Sequence, residues 1–159
     1  MIIGILSDSH DDMDAIAKVV ELFNAEGVAQ VLHAGDIVSP FTFDLFRDLR
    51  APLDGVFGNN DGDRLLLRER SGGRVHVQPH FVTPGDLRGV VVHEPPLVPA
   101  LERSGEFDLV VFGHTHQPVI RRTGRTLVVN PGKAARLHQG RSTVALLETD
   151  TGEARLVEL

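Results

Sequence analysis

Short apolar runs, each ending in a polar loop, recur along the chain. Ile2 to Leu6 is a continuous run rich in β-branched side chains, the pattern of a buried and parallel strand. It ends at Ser7-Asp8-Ser9-His10. Met13, Ile16, Val20 and Phe23 then fall at helical spacing, with Asp11 and Asp12 available as N-terminal caps and Gly27 as a C-terminal cap. A second strand runs from Val28 to Leu32 and leads into His33-Ala34-Gly35-Asp36. Ser39 and Pro40 open a helix whose apolar face is Phe41, Leu45 and Leu49. Pro52 precedes a third strand, Leu53 to Phe57, which delivers Gly58-Asn59-Asn60-Asp61-Gly62. Arg64 to Arg70 forms a brief helix whose Leu65-Leu66-Leu67 run belongs to the core or to a subunit contact.

From Gly73 the pattern changes. Val75, Val77, Phe81 and Val82 lie in short segments separated by Pro79, Pro84 and Gly85, which reads as antiparallel strands. Gly89 to Val92 is a buried strand ending at His93-Glu94, and Pro99 to Arg103 forms a short helix. Asp108 to Phe112 is another buried strand; Gly113 lets the backbone break from it, so that His114 and His116 emerge at its C-terminal edge. Open α/β sheets place their ligand sites at such edges. Val119-Ile120 with Thr126 to Val129, and Ser142 to Thr149 with Ala154 to Leu159, read as hairpins. The first half alternates β and α and the second is mostly β. An α/β fold results, a two-sheet β-sandwich flanked by helices, with residues 1–159 as one domain.

Composition narrows the chemistry. With 159 residues and 42% hydrophobic content the chain can bury one sizeable core. It has no cysteine, which excludes disulfides, iron–sulfur clusters, thiolate zinc sites and a cysteine nucleophile. Any metal must sit on His, Asp, Asn or Glu. Neither a basic leader nor an apolar run of membrane-spanning length is visible, so a soluble, cytoplasmic protein without a membrane partner is expected. The net charge of −6, from 16 basic and 22 acidic residues, argues against a nucleic-acid partner gripped through its phosphates.

Against that background five strand ends present Asp8 with His10, Asp36, Asn59, His93, and His114 with His116. Singly, Asp8 and Asp36 could be helix caps, Asn59 a turn residue and His93 a satisfied core histidine. Together they are metal-ligand types converging on one edge. The ordered set Asp8-Ser9-His10, Gly35-Asp36, Gly58-Asn59-Asn60-Asp61, His93 and Gly113-His114-Thr115-His116 resembles the calcineurin-like metallophosphoesterases, whose pattern is Asp-x-His, Gly-Asp, Gly-Asn-His-Asp/Glu, a lone His, and Gly-His-x-His. The likeness spans nearly the whole chain. Its short length and its Asn130-Pro131-Gly132 loop are most similar to the small prokaryotic phosphodiesterases of that superfamily.

The resemblance implies a four-layer α/β/β/α fold and two divalent transition-metal ions, manganese first, with iron, zinc, cobalt or nickel as alternatives. It implies one ion on Asp8, His10, Asp36 and His116 and the other on Asp36, Asn59, His93 and His114, with Asp36 bridging. Cations about 3.5–4 Å apart need a shared carboxylate to offset their repulsion, and a bridging hydroxide would attack phosphorus in line. The implied substrate is a small phosphoester, most simply a diester. The alternative implied by a cousin, the phosphoesterase-fold subunit of retromer, is a non-catalytic scaffold that binds a protein partner; a nuclease reading is weakened by the acidic balance.

Two positions depart from the pattern. Asn60 stands where many members carry a histidine that protonates the leaving oxygen, so Asn60 and Asp61 are only weak catalytic candidates. Glu94 follows the lone histidine where glycine is usual, and is expected to face solvent or to act from behind a ligand. His33 is expected to be structural, while His76, His80 and His138 have no motif context. Arg121, Arg122, Arg125, Lys133, Arg136 and Arg141 read as a solvated hairpin. The functional alternative is that Lys133 or Arg136 draws an anionic substrate in. A homo-oligomer is possible through the Leu65 run.

Overall fold

The computed structural model describes residues 1–136 and 140–159. Its strands form two sheets. The first takes β1 (Ile2–Leu6), β2 (Gln30–His33), β3 (Leu53–Val56) and β4 (Val75–His76), all parallel, with β10 (Thr143–Glu148) antiparallel to β1 and β11 (Glu153–Glu158) outermost, in the order β11-β10-β1-β2-β3-β4. The second takes β5 (His80–Val82), β6 (Gly89–Val91), β7 (Leu109–Val111), β9 (Thr126–Asn130) and β8 (Val119–Thr123), in the order β5-β6-β7-β9-β8.

Three buried clusters show how the layers stack. Ile3, Ile5, Leu32, Val56, Val91, Leu109 and Val111 interdigitate between the two sheets. The other face of the first sheet packs Val31, Leu53 and Val75 against Ile16, Val19 and Phe23 of α1 (Met13–Ala25) and Leu67 of α2 (Arg64–Arg70). The other face of the second sheet packs Val90, Val110 and Val128 against Val98 of α3 (Val98–Ser104). The expected α/β sandwich flanked by helices is therefore the observed fold, in four layers. Strands covered on both faces explain the unbroken apolar runs.

Two local expectations are corrected. Thr42–Asp48 is a 3-10 helix whose buried side chains are Phe43 and Phe46, while Phe41 is 66% exposed. With three residues per turn, positions i and i+3 share a side, so Phe43 and Phe46 take the buried face, Leu45 and Leu49 pack only at its margin and Phe41 is left out. Val75–His76 joins the first sheet as a parallel edge, and only His80–Val82 is antiparallel to its neighbour. Of the Leu65 run, Leu67 is core and Leu65 is 85% exposed. Among the described residues no helix is long and apolar enough to cross a membrane.

Candidate metal centre

The parallel strands β1, β2, β3, β6 and β7 all release their loops at one rim. Backbone hydrogen bonds lock those loops together: Asp8 N donates to Gly35 O (2.9 Å), His10 N to Asp36 O (3.1 Å) and Gly113 N to His93 O (3.1 Å). Glycine is required where they touch. A Cβ on Gly113 would strike Ser7 Oγ and lie 2.8 Å from Asp8 Oδ2, and one on Gly58 would strike the Asp36 carboxylate. So Gly113 serves close approach, not a left-handed turn. The left-handed backbone falls on the functional residues themselves, at Asp8 (φ 54°), His10 (φ 42°), Asp36 (φ 60°), His114 (φ 68°) and His116 (φ 58°). Such strain persists only where surrounding contacts over-determine it, as they do at functional sites.

All seven candidate ligands come together, in two linked groups. In the first, Asp8 Oδ1 lies 3.3 Å from His116 Nε2 and 3.8 Å from His10 Nε2. The two histidine nitrogens are 3.1 Å apart, and Asp36 Oδ2 is 3.7 Å from His10 Nε2. In the second, Asn59 Oδ1 lies 2.9 Å from His93 Nε2 and 2.8 Å from His114 Nδ1, and Asp36 Oδ1 is 3.5 Å from His93 Nε2. Asp36 turns one oxygen toward each group. His114 and His116 divide between the groups, each from a left-handed backbone.

The donor set fits cations. Asp8 Oδ1 is buried and receives no hydrogen bond, although Asp8 Oδ2 accepts from Ser7 Oγ (2.5 Å) and His114 N (3.0 Å). Leaving such an oxygen unsatisfied costs free energy that a bound cation would recover. His93 Nδ1 donates to Ala34 O (2.7 Å), so Nε2 is the ring nitrogen turned toward Asn59 and Asp36. A backbone carbonyl behind the ring is the usual support of a ligating imidazole.

Electrostatics agree. Burial raises the Asp8 pKa above the ordinary carboxylate value, with Ser7 and His114 only partly offsetting it. Burial pushes Asp36 the same way, but hydrogen bonds from His93 and from Asn60 outweigh it and hold Asp36 well below the usual range. Burial would lower His93; its hydrogen bonds with Asp36 and Ala34 reverse this and raise it.

The neighbours of the seven have definite roles. Asp61 Oδ2 accepts from Gly58 N (2.6 Å) and Asp36 N (3.2 Å), and its Oδ1 accepts from Val38 N (2.6 Å), so Asp61 clamps the Asp36 and Asn59 loops to each other. Asn60 donates from Nδ2 to Asp36 Oδ2 (2.7 Å). His33 is fully buried; its Nδ1 accepts from Gly35 N (3.2 Å) and its Nε2 bonds Ser9 Oγ (3.2 Å). Burial lowers its pKa to about 3, so it is neutral and structural. Glu94 is exposed and accepts from Gln78 Nε2 (3.1 Å). His138 lies outside the described residues.

Of the downstream cations, Arg136 pairs with Asp12 and Asp14, Arg121 with Glu102, Arg125 with Asp108 and Arg141 with Glu158. Arg122 bonds the Gly152 carbonyl (2.5 Å), and Lys133 is buried. The partners of Arg121, Arg125, Arg136 and Arg141 favour the solvated surface for these arginines, whereas Lys133, being buried, does not fit it. Sequence reasoning missed Ser7 and Gln78, whose Oε1 accepts from His93 N (2.7 Å), and it gave Asn130 no role. Asn130 Nδ2 donates to Gly113 O (3.0 Å) and Thr115 Oγ1 (3.0 Å), which sets the histidine loop. Only its place in an Asn-Pro-Gly turn hinted at this.

Comparison with known proteins follows the same lines. A family model described as the calcineurin-like phosphoesterase superfamily domain matches residues 1–152. A Methanocaldococcus jannaschii protein named phosphodiesterase MJ0936 is 35% identical over 165 residues, covering 100% of this chain and 99% of that one. The solved structure of an archaeal phosphodiesterase superposes with a TM-score of 0.94 at 35% identity, covering 100% of both chains. Vps29 of Entamoeba histolytica complexed with zinc reaches a TM-score of 0.69 at 16% identity, over 100% of this chain and 98% of that one, a likeness of fold alone.

Proposed function

Because the chain belongs to the calcineurin-like phosphoesterase superfamily and is a hydrolase acting on phosphoric ester bonds, we propose that it cleaves phosphodiesters at a two-cation centre held by Asp8, His10, Asp36, Asn59, His93, His114 and His116. The observation that carries this reading is the buried Asp8 Oδ1, which accepts no hydrogen bond and faces the Nε2 atoms of His10 and His116. Manganese is the ion to load first.

Two bound divalent cations would supply Lewis acidity toward the phosphoryl oxygens and a water of lowered pKa at neutral pH. The rest falls to the chain. Asp36, ionised and tied by Asn60 N (2.8 Å) and Asn60 Nδ2 (2.7 Å), presents one oxygen to each side of the centre. Asp61 fixes the distance between the loops bearing Asp36 and Asn59, so it positions and does not react. A groove lined by His116, Gln117, Pro118, Lys133 and Thr143 opens beside the histidine loop, with room for the second alcohol of a diester. The relatives named phosphodiesterases support the same choice.

Asn60 donates a hydrogen bond but has no dissociable proton to give. General acid catalysis contributes about 10²–10⁴-fold, so its absence falls on poor leaving groups. The test compares nitrophenyl and alkyl diesters after chelation and return of manganese. Activity lost on chelation, restored by manganese and much faster for nitrophenyl esters is the expected result. Activity that survives exhaustive chelation overturns the two-cation reading, and equal rate constants for both leaving groups, with chemistry limiting, overturn the role given to Asn60.

A further inference from the structure

Where the sandwich ends, at the edge formed by β3, β4 and β5, the apolar layer between the sheets gives way to Asp54, His76 and His80. Registration puts them there. His76 lies opposite Val56 and His80 opposite Val91, and Val56 and Val91 both belong to the inter-sheet core. Residues opposed in register share a face, and alternate residues of a strand do as well, which adds Asp54 on β3 to the same layer. One imidazole therefore comes from each sheet. Their rings stack with centroids 3.8 Å apart and planes 10° from parallel.

Ligating atoms of Asp54, His76 and His80 lie within 4.8 Å of one another. Asp54 is oriented by Gln30 Nε2 on one oxygen (3.1 Å) and Arg74 Nη1 on the other (3.2 Å). We propose that Asp54, His76 and His80 form a separate mononuclear site for a divalent transition ion, zinc, nickel or cobalt, that staples the two sheets at their open edge. Two neutral imidazoles and one carboxylate are ligands those ions prefer over calcium or magnesium. All three side chains are partly exposed, so an ion has a path in and water can complete its shell. Because the rings lie only 10° from parallel, an ion between them would require His76 and His80 to splay until a nitrogen of each points at it.

The staple would reach the main centre through backbone. His76 O accepts from Phe57 N (2.8 Å), just ahead of Gly58-Asn59, and Gln78, midway between the two histidines, accepts from His93 N (2.7 Å). The site is nonetheless composed of other residues, and its existence does not depend on the proposed hydrolysis.

The test counts ions per chain by elemental analysis after zinc loading and dialysis, and records zinc-induced shifts in melting temperature. Wild type is compared with a His76→Phe/His80→Phe variant, which keeps an aromatic pair but removes both imidazoles. Wild type is expected to hold one zinc more than the variant and to gain several degrees more on zinc addition. Asp54→Asn, which keeps size and shape, should weaken zinc binding at least tenfold, and it decides the matter if the double variant does not fold. Equal ion counts and equal shifts in all folded variants would overturn the proposal and leave the stacked histidines as packing alone.

Discussion

Asp8→Asn should stabilise the metal-free protein while destroying its capacity to bind metal. Asn tolerates the left-handed backbone that residue 8 adopts (φ 54°). Its carbonyl can take the place of Oδ2 and keep the hydrogen bonds from Ser7 Oγ and His114 N. Its amide then replaces Oδ1, the buried oxygen that accepts nothing, and points a donor at the His116 and His10 nitrogens 3.3 and 3.8 Å away. Relief of one unsatisfied buried acceptor is worth about 1–3 kcal/mol. At about 2–4 °C per kcal/mol for a chain of this size, the melting temperature rises by about 2–12 °C. The sign is supported by the raised Asp8 pKa, since a carboxylate harder to ionise when folded favours the folded state below its ordinary pKa and loses that advantage as pH rises. The assay is thermal unfolding of chelated wild type and variant at neutral pH, beside manganese titrations of both. A variant clearly less stable than wild type, or one that binds manganese as tightly, would refute the reasoning.

Other outcomes follow from neighbouring residues. His33 binds a proton below pH 6.5 in the unfolded chain but only near about 3 when folded, so its contribution to stability is complete above pH 6.5 and lost as pH falls. By pH 5 the loss is about 2 kcal/mol; His33→Gln should remove that slope from denaturant-unfolding curves, and an unchanged slope would contradict the assignment. Asp61→Ala strips three backbone N–H groups of their acceptor. It should cost about 3 kcal/mol, or about 6–12 °C in melting temperature; an unchanged melting temperature would mean that the clamp contributes nothing. Arg136→Gln should leave the Michaelis constant for a diester within about twofold of wild type, because Asp12 and Asp14 already hold the guanidinium and exposed pairs of this kind contribute little. A large rise would restore the substrate-drawing role.

The layers and the seven converging side chains were legible because both are local signals. Runs such as Ile2 to Leu6 announce strands buried on two faces, and each candidate ligand sits within a few residues of a strand end. What was not legible depends on partners far along the chain. Asp61 looks like one more acid in an Asn-rich turn until folding brings it to the Asp36 and Val38 amides, 25 and 23 residues away. Asn130 reaches the histidine loop across 17 residues. The 3-10 packing of Phe43 and Phe46, and the left-handed backbones of His114 and His116, are tertiary choices that propensity does not encode. The edge trio of Asp54, His76 and His80 was invisible as a unit because no motif links a third-strand acid to two histidines that the register of two sheets brings together.

The central claim is tested most directly by hydrolysis of bis(p-nitrophenyl) phosphate with metal-reconstituted wild type, Asp36→Asn and His114→Ala, with melting temperatures recorded to show that each is folded. Wild type should be active with manganese. Each substitution should lower the rate by about 100-fold or more, beyond what loss of a residue merely supporting a ligand costs. Activity unaffected by either substitution would contradict the two-cation centre, and folded wild type inactive with every divalent ion would turn the fold into a scaffold.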